Sequence, residues 1–214
     1  MSNKIIHCES SIQNLLDIRF SSNIRYKIPN AYIFKDDWES DYFVLQHASG
    51  YSYEIEIKVT RADFFNDLKK IHKHQILKEG KYNKEDYHYV YDPITLKHVL
   101  DENGRDKKEY IMKVHEHTFR PNKFYYCVPE GLVTKEEVPD YAGLMYASDY
   151  SITTVKEAKF IHKEKLKFET KLCNKFYWYW KNTKNELEIS RRYVQNLENE
   201  LRELKKKINE NSNK

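Results

Sequence analysis

The sequence lacks long apolar runs and has few residues of the kinds that build cofactor loops or disulfide frameworks. No apolar stretch approaches the roughly 18 residues that a membrane-spanning helix needs, and residues 1–11 contain no apolar segment typical of a secretory signal. Only five glycines occur in 214 residues. Neither a GxGxxG nor a GxxxxGK(S/T) motif is present, which argues against the common nucleotide-binding folds.

Cysteine is also scarce. Cys8, Cys127 and Cys173 lie far apart and offer neither a CxxC pair nor a disulfide framework. This usage favours a reducing, cytoplasmic location. We therefore expect an intracellular protein with no membrane partner, for which association with a nucleoid and a phage origin are both open.

Aromatic and charged side chains dominate what is present. The 18 tyrosines, 10 phenylalanines and 3 tryptophans supply enough apolar area for a core, although 33% of the residues are charged. Length and composition therefore predict one globular domain with an appendage rather than a disordered chain.

Positive charge is concentrated in two segments, although the formal net charge is only +4. Residues 68–84 hold six lysines and one glutamate, and residues 156–184 hold nine lysines and three glutamates among several aromatic residues. Lysines interleaved with aromatic residues suit a phosphate backbone and stacked bases. Charge alone favours a simpler alternative, a solvated helix face whose lysine stems cover apolar surface.

The first third of the sequence predicts a helix, three strands and a second helix. Their predicted ranges are helix 9–20, strands 31–34, 41–47 and 53–59, and a helix from 60 to 76. Pro29 and Asn30 are expected to break the chain, and residues 35–40 to form a charged turn. Thr60 and Asp63 form a capping box for the second helix. The short turn between the second and third strands predicts an antiparallel hairpin.

The rest of the sequence predicts fewer core elements. They are an elaboration at 82–114, a strand at 123–128, a short helix at 134–137 and a strand at 142–147. After residue 151 glycine and proline are absent. We therefore expect an α/β domain over residues 1–150 and a basic helical extension over residues 151–214.

The extension ends in a heptad-like pattern. The repeating residues are Leu187, Ser190, Val194, Leu197, Leu201, Leu204 and Ile208. Three heptads make a short coiled coil. Homodimerisation through this helix, docking on the chain's own domain and a frayed tail are all open.

The third predicted strand alternates two kinds of side chain. Ile55 and Ile57 point to one face, and Glu54, Glu56 and Lys58 point to the other. The open face of a hairpin usually carries mixed polar residues. Two carboxylates and an amine in a row therefore indicate a site.

Asp41 begins the strand that pairs with this one. Because antiparallel strands run start against finish, Asp41 is expected within a few ångströms of Glu56 or Lys58. Converging carboxylates repel unless a cation lies between them, and hard oxygen ligands suit Mg²⁺ or Mn²⁺. A metal there can polarise a phosphodiester, and a lysine beside it can stabilise charge on phosphorus. These three side chains predict a site for phosphodiester hydrolysis.

This arrangement resembles the PD-(D/E)XK nuclease superfamily, because Asp41 and the Glu56-Ile57-Lys58 tripeptide lie on paired strands after a leading helix. Residues 53–67, and the stretch Phe-Tyr-Tyr-Cys-Val-Pro-Glu-Gly at 124–131, are similar to the MmcB-like DNA-repair and phage nuclease branch. The resemblance covers residues 5–148. It departs from the motif at Ser40, where the superfamily pattern has a variable proline.

The resemblance implies a restriction-endonuclease-like αβββαβ core with a mixed sheet, here followed by a helical, coiled-coil extension. It implies a Mg²⁺- or Mn²⁺-dependent endonuclease acting on DNA. Asp41, Glu56 and the backbone carbonyl of Ile57 would be metal ligands, and Lys58 would serve the attacking water. Glu9 matches the extra acid that some members use.

Several alternatives stay open. Arg61, Lys70 and His74 are candidates for DNA contacts near the site, although each alone is also typical of a surface residue. The alternatives to Asp41 as the first acid are Asp36, Asp37 and Glu39. The alternative functions are a non-catalytic DNA-binding or repair accessory module on the same fold, and a coiled-coil adaptor that binds protein.

Overall fold

The computed structural model describes residues 6–35 and 38–212, with side chains described for residues 6–34 and 38–207. In chain order the elements are α1 (Glu9–Arg19), β1 (Ile24–Lys35), β2 (Trp38–Gln46), β3 (Ser52–Ile57), α2 (Arg61–Leu68), α3 (Ile71–Glu79), β4 (Lys81–Tyr89), β5 (Lys108–Glu116), β6 (Lys123–Pro129), β7 (Ala142–Ala147), β8 (Ile152–Lys156) and α4 (Glu169–Ser212). The chain divides into one compact unit that ends at Leu166 and a second that begins at Lys167.

A mixed sheet of six strands forms the centre of the first unit. Its strand order is β1-β2-β3-β6-β7-β8. The strands β1, β2 and β3 are antiparallel neighbours, β3, β6 and β7 are parallel, and β8 is antiparallel to β7. A separate antiparallel pair, β4 and β5, accounts for the elaboration that the sequence predicts around residues 82–114.

Both faces of the sheet are covered. Ile12 and Leu16 of α1 pack against one face, in a cluster that includes Ile55 and Ile57 of β3. Phe64 of α2 lies with Leu77 and the β6 side chains in a cluster on the other face. Because parallel strands need cover on both sides, the centre of the sheet is enclosed and β3 lies within it.

Four local predictions are wrong. The turn expected at residues 35–40 is too long, because Lys35 belongs to β1 and residues 38–40 belong to β2. Pro29 does not break the chain, because β1 is an edge strand and an edge position tolerates a residue without an N–H donor. The single helix from 60 to 76 is two helices that meet at Lys69 and Lys70. Residues 134–137 form a turn rather than a helix.

The second unit is the helix α4, which has 44 residues. The sequence places the start of the extension at residue 151, whereas β8 adds residues 152–156 to the sheet and the first unit continues to Leu166. Within residues 6–35 and 38–212, no helix has the length and apolarity that crossing a membrane requires.

Candidate active site

The register between β2 and β3 brings Asp41 to Glu56. Tyr42 pairs with Ile55 in the antiparallel ladder, so Asp41 and Glu56 are the next positions outward. Oδ2 of Asp41 accepts a hydrogen bond from the backbone N–H of Ile57 at 2.7 Å. This bond fixes the Asp41 carboxylate at the end of β3, as the hairpin prediction requires.

Lys58 follows β3 directly and lies between the two acids. Its Nζ is 2.8 Å from Oε1 of Glu56 and 3.6 Å from Oδ2 of Asp41. The structure therefore brings together the three side chains that the sequence singled out. Their catalytic role stays a prediction.

The charged face of β3 is buried rather than open. Glu54, Glu56 and Lys58 are 0%, 2% and 6% exposed. The prediction of an open hairpin face is wrong. β6 pairs with β3, which makes β3 an inner strand, and the helices α2 and α3, which come after β3 in the chain, cover the face that carries these side chains. Asp41, with 18% of its side chain exposed, is the more accessible acid.

Lys73 on α3 is the main functional candidate that the sequence analysis missed. Its Nζ lies 2.6 Å from Oε2 of Glu56, 3.7 Å from Oδ1 of Asp67 and 3.9 Å from Oε1 of Glu54. The side chain is only 5% exposed. Its position three and four residues before Ile76 and Leu77, which are buried, is the signal that could have found it.

Asp67 forms the far side of the same charged cluster. Its Oδ2 accepts a hydrogen bond from the Tyr126 hydroxyl at 2.8 Å, and its Oδ1 lies 2.8 Å from Nζ of Lys70. The ring of His74 also contacts the backbone carbonyl of Asp67 at 2.9 Å. The Asp67 side chain is buried, with 1% of the residue exposed.

The two central lysines keep their charge. Burial alone would lower the pKa of Lys58, but Glu56 and Asp41 outweigh it and raise that pKa above its ordinary value. The pKa of Lys73 is likewise raised, because Glu56, Glu54 and Asp67 outweigh the effect of burial. Both amines are therefore cationic at neutral pH.

The acids of the cluster differ in protonation. Burial raises the pKa of Asp41 to about 7, and the Glu56 carboxylate adds to the effect. Burial raises the pKa of Glu54 to about 8, so this side chain holds a proton at neutral pH. Burial would also raise the pKa of Asp67, but Lys73 and Lys70 hold it well below its usual range.

Glu9 lies at the edge of the site. Nε2 of Gln13 donates hydrogen bonds to Oε1 of Glu9 and to the backbone carbonyl of Asp41, each at 3.1 Å. The Glu9 carboxylate also contributes to the raised pKa of Asp41. Glu9 is thus close enough to act on the site electrostatically, and its role as an extra metal ligand stays a prediction.

The predicted DNA contacts already have partners in the protein. Arg61 forms an ion pair with Glu137 and donates to the carbonyl of Leu132 at 2.9 Å. Lys70 pairs with Asp67, and Nδ1 of His74 is hydrogen-bonded to the Tyr141 hydroxyl. Burial lowers the pKa of His74, so its ring is neutral at pH 7. Their DNA-binding role stays a prediction.

Of the three alternatives to Asp41, only Glu39 is among the described residues. Asp36 and Asp37 lie outside the described residues. Glu39 is exposed on β2. Within the part of the chain that the structure describes, no group of three or more His, Cys, Asp and Glu side chains stands ready to hold a metal ion.

The architecture is that of an α/β protein with a mixed sheet and a long C-terminal helix. No known protein family matches the chain, and no curated protein does. The chain is similar to a solved structure described as "SPO1766 protein of unknown function from Silicibacter pomeroyi", with a TM-score of 0.45 and 16% sequence identity. The similarity covers 83% of this chain and 88% of that one.

Proposed function

We propose that this protein is a Mg²⁺- or Mn²⁺-dependent nuclease that hydrolyses DNA phosphodiester bonds at Asp41, Glu56 and Lys58. One observation carries the proposal. Two carboxylates from neighbouring strands converge on one amine, with Lys58 Nζ 2.8 Å from Glu56 and 3.6 Å from Asp41. This is the set of groups that positions a phosphate, its cation and a water molecule.

The donor set fits a hard divalent cation. Mg²⁺ is usually held by one or two carboxylates and keeps several waters, so Asp41, Glu56 and the Ile57 carbonyl are a sufficient protein contribution. Burial and the neighbouring Glu56 carboxylate raise the pKa of Asp41, so the ionised form of this acid is disfavoured. Held there, a divalent cation would favour the ionised acid and supply Lewis acidity to the scissile phosphate.

Lys58 is suited to donate hydrogen bonds rather than to accept a proton. Its pKa is raised by Glu56 and Asp41, so the amine is a poor general base. A fixed cation with three N–H donors can orient a water molecule and stabilise negative charge growing on phosphorus. Because Lys58 is 6% exposed, little solvent screens that interaction.

Lys73 contacts the same carboxylate as Lys58. Lys73 donates a hydrogen bond to Oε2 of Glu56, whereas Lys58 donates one to Oε1. This bond fixes the rotamer of Glu56 and offsets part of the repulsion among the buried acids. We assign Lys73 a positioning role.

The order of elements in the first unit supports the finer fold assignment. A leading helix, three antiparallel strands, a helical crossover and a strand parallel to the third occur in the order that the resemblance implies, with β4 and β5 inserted before that last strand. The proposal therefore includes a restriction-endonuclease-like core. The similarity of residues 53–67 and 124–131 to the MmcB-like branch favours DNA as the substrate.

The test is cleavage of labelled duplex, single-stranded and branched DNA with Mg²⁺ or Mn²⁺. We expect cleavage by the natural protein and a loss of about 100-fold or more in Asp41→Asn, Glu56→Gln and Lys58→Met. Glu39→Gln is the matched control, because Glu39 lies on the same strand as Asp41 but is exposed. Glu56→Gln that cleaves as well as Glu39→Gln would contradict the proposal.

Metal binding gives a second readout that does not need cleavage. Calorimetric titration of the intact chain with Mn²⁺ should show binding that is lost in Asp41→Asn and kept in Glu39→Gln. Circular dichroism of each variant separates a lost ligand from a lost fold.

One observation favours a non-catalytic DNA-binding module as the second candidate. Both carboxylate oxygens of Glu56 are already engaged by lysines, at 2.8 and 2.6 Å. These two contacts are sufficient for a purely structural role of Glu56, without any metal ion. DNA binding without cleavage on any substrate, and without Mn²⁺ binding, would support this candidate over the nuclease.

A further inference from the structure

The helix α4 carries an apolar stripe along much of its length. The stripe follows alternating steps of three and four residues, which is the spacing of a coiled-coil seam. Its apolar members with described side chains are Phe176, Trp180, Leu187, Val194, Leu197, Leu201 and Leu204. They are 41–70% exposed. Because apolar area exposed to water is unfavourable, covering the stripe with a second apolar surface would stabilise the helix.

The length of the stripe is sufficient for a stable pair of helices. It extends the three heptads found at residues 187–208 toward the N-terminus through Trp180 and Phe176, with Thr183 as the polar member between Trp180 and Leu187. Coiled coils usually need three to four sustained heptads. With the added residues, the helix has enough heptads for a stable coiled coil.

The residue types in the seam favour two parallel chains. Of the four a positions between residues 187 and 208, Val194 and Ile208 are β-branched and the other two are leucines, whereas Leu197 and Leu204 occupy d positions. β-branched residues at a with leucine at d favour parallel dimers. Ser190 is a polar d position, and a polar residue in the seam costs stability.

The flanking charges fit the same arrangement. In a parallel, in-register pair each g residue meets the e residue five positions later on the partner helix. Glu186 then meets Arg191, and Glu200 meets Lys205. An antiparallel pair that sets Leu187 against Leu204 would also join Arg191 to Glu198 and Glu186 to Lys207, but it would bring lysines 184 and 205 together. Charge therefore favours the parallel pair.

These four charged side chains have no ion pair within residues 6–34 and 38–207, the part of the chain whose side chains are described. Glu186, Arg191, Glu200 and Lys205 are all exposed on α4, and none takes part in a salt bridge there. We propose that α4 is the dimerisation element of this protein and forms a parallel, in-register, two-stranded coiled coil with a second copy of the chain. The proposal is independent of the nuclease proposal, because every residue concerned lies on α4.

The first test is the mass of the intact chain by light scattering and sedimentation. We expect twice the 26.0 kDa of one chain. Leu197→Glu with Leu201→Glu should weaken self-association at least tenfold. The matched control is Asn185→Glu with Asn199→Glu, which adds the same charge at f positions on the opposite helix face and should leave the dimer intact. A monomeric natural protein would overturn the proposal.

The second test fixes the orientation of the two helices. Leu187→Cys in a background of Cys8→Ser and Cys173→Ser should form a disulfide between chains under mild oxidation, because an a position faces its own copy only in a parallel, in-register pair. Asn185→Cys in the same background is the control that should not. A dimer in which Leu187→Cys links no better than Asn185→Cys would overturn the parallel arrangement.

Discussion

The two units of the chain distribute charged and apolar side chains in opposite ways. The first unit buries charge, since Glu54, Glu56 and Lys73 are each no more than 5% exposed. The helix α4 exposes apolar groups, with Trp180 and Leu197 at 52% and 41%. Each arrangement is unfavourable for an isolated unit. The contrast teaches that the first unit balances its buried charges internally, whereas the exposed apolar groups of α4 have no such compensation within the helix.

The buried charges are tolerated because they compensate one another. Lys73 and Lys58 share Glu56, and Lys73 with Lys70 holds Asp67 ionised. Glu54 avoids an unpaired charge in a different way, because it stays protonated at neutral pH. Removing one member of such a cluster leaves an unpaired charge, which costs far more than the intact pair contributes.

The largest expected effect on stability is therefore that of Lys73→Met. This change leaves Glu56 and Asp67 without their shared cation, and we expect a loss of about 3–5 kcal/mol in the free energy of unfolding. Urea denaturation measures it. The control is Lys78→Met, an exposed lysine on the same helix, which should change stability by less than about 0.5 kcal/mol. Equal effects of the two changes would show that Lys73 is not part of a working charge cluster.

Asp67→Asn should cost about 2–3 kcal/mol at pH 7, because Tyr126 and Lys70 lose a charged acceptor. The pKa of Asp67 is depressed in the folded state, so its contribution is complete above the ordinary aspartate pKa and is lost as the pH falls below it. The difference in the free energy of unfolding between the natural protein and Asp67→Asn should therefore become smaller as the pH is lowered from 7 to 3.5. Urea denaturation of both proteins at both pH values measures this difference. A difference that grows on acidification would contradict a depressed pKa of Asp67.

On α4, by contrast, a substitution in the apolar stripe should stabilise the dimer. Ser190→Leu fills the polar seam position, and we expect a gain of about 1–2 kcal/mol in dimer stability. Thermal melting of the intact chain at several concentrations would detect it as a raised and concentration-dependent transition. Asn199→Leu, on the opposite helix face, should give no such gain. A similar gain from both changes would show that the stripe is not a seam.

Glu54→Gln is expected to have the smallest effect, within about 1 kcal/mol at pH 7. Both Glu54 carboxyl oxygens are buried, and neither has a hydrogen-bond partner among the described residues. The folded protein already holds Glu54 neutral, so a neutral amide of similar shape changes little. Urea denaturation at pH 7 is the measurement. A loss as large as that of Lys73→Met would show that Glu54 is ionised and paired.

The parts of the site that were predictable lie close together in the sequence. Strand alternation and a short hairpin connection place Glu56, Lys58 and Asp41 together, because pairing in a hairpin is set by local register. Lys73 and Asp67 were missed because their meeting with β3 depends on how two short helices cross the sheet. The break expected at Pro29 is wrong for a similar reason, because whether a strand lies at the edge is a property of the finished sheet.

Local chemistry alone was enough to specify the α/β class, the β2–β3 hairpin and the apolar spacing on α4, because short-range spacing governs all three. Packing decided the rest. Covering both faces of the sheet turned an expected open face into a buried charge cluster, and burial in turn set which acids hold protons. Protonation and pairing depend on groups far apart in the chain, so only the assembled structure could assign them.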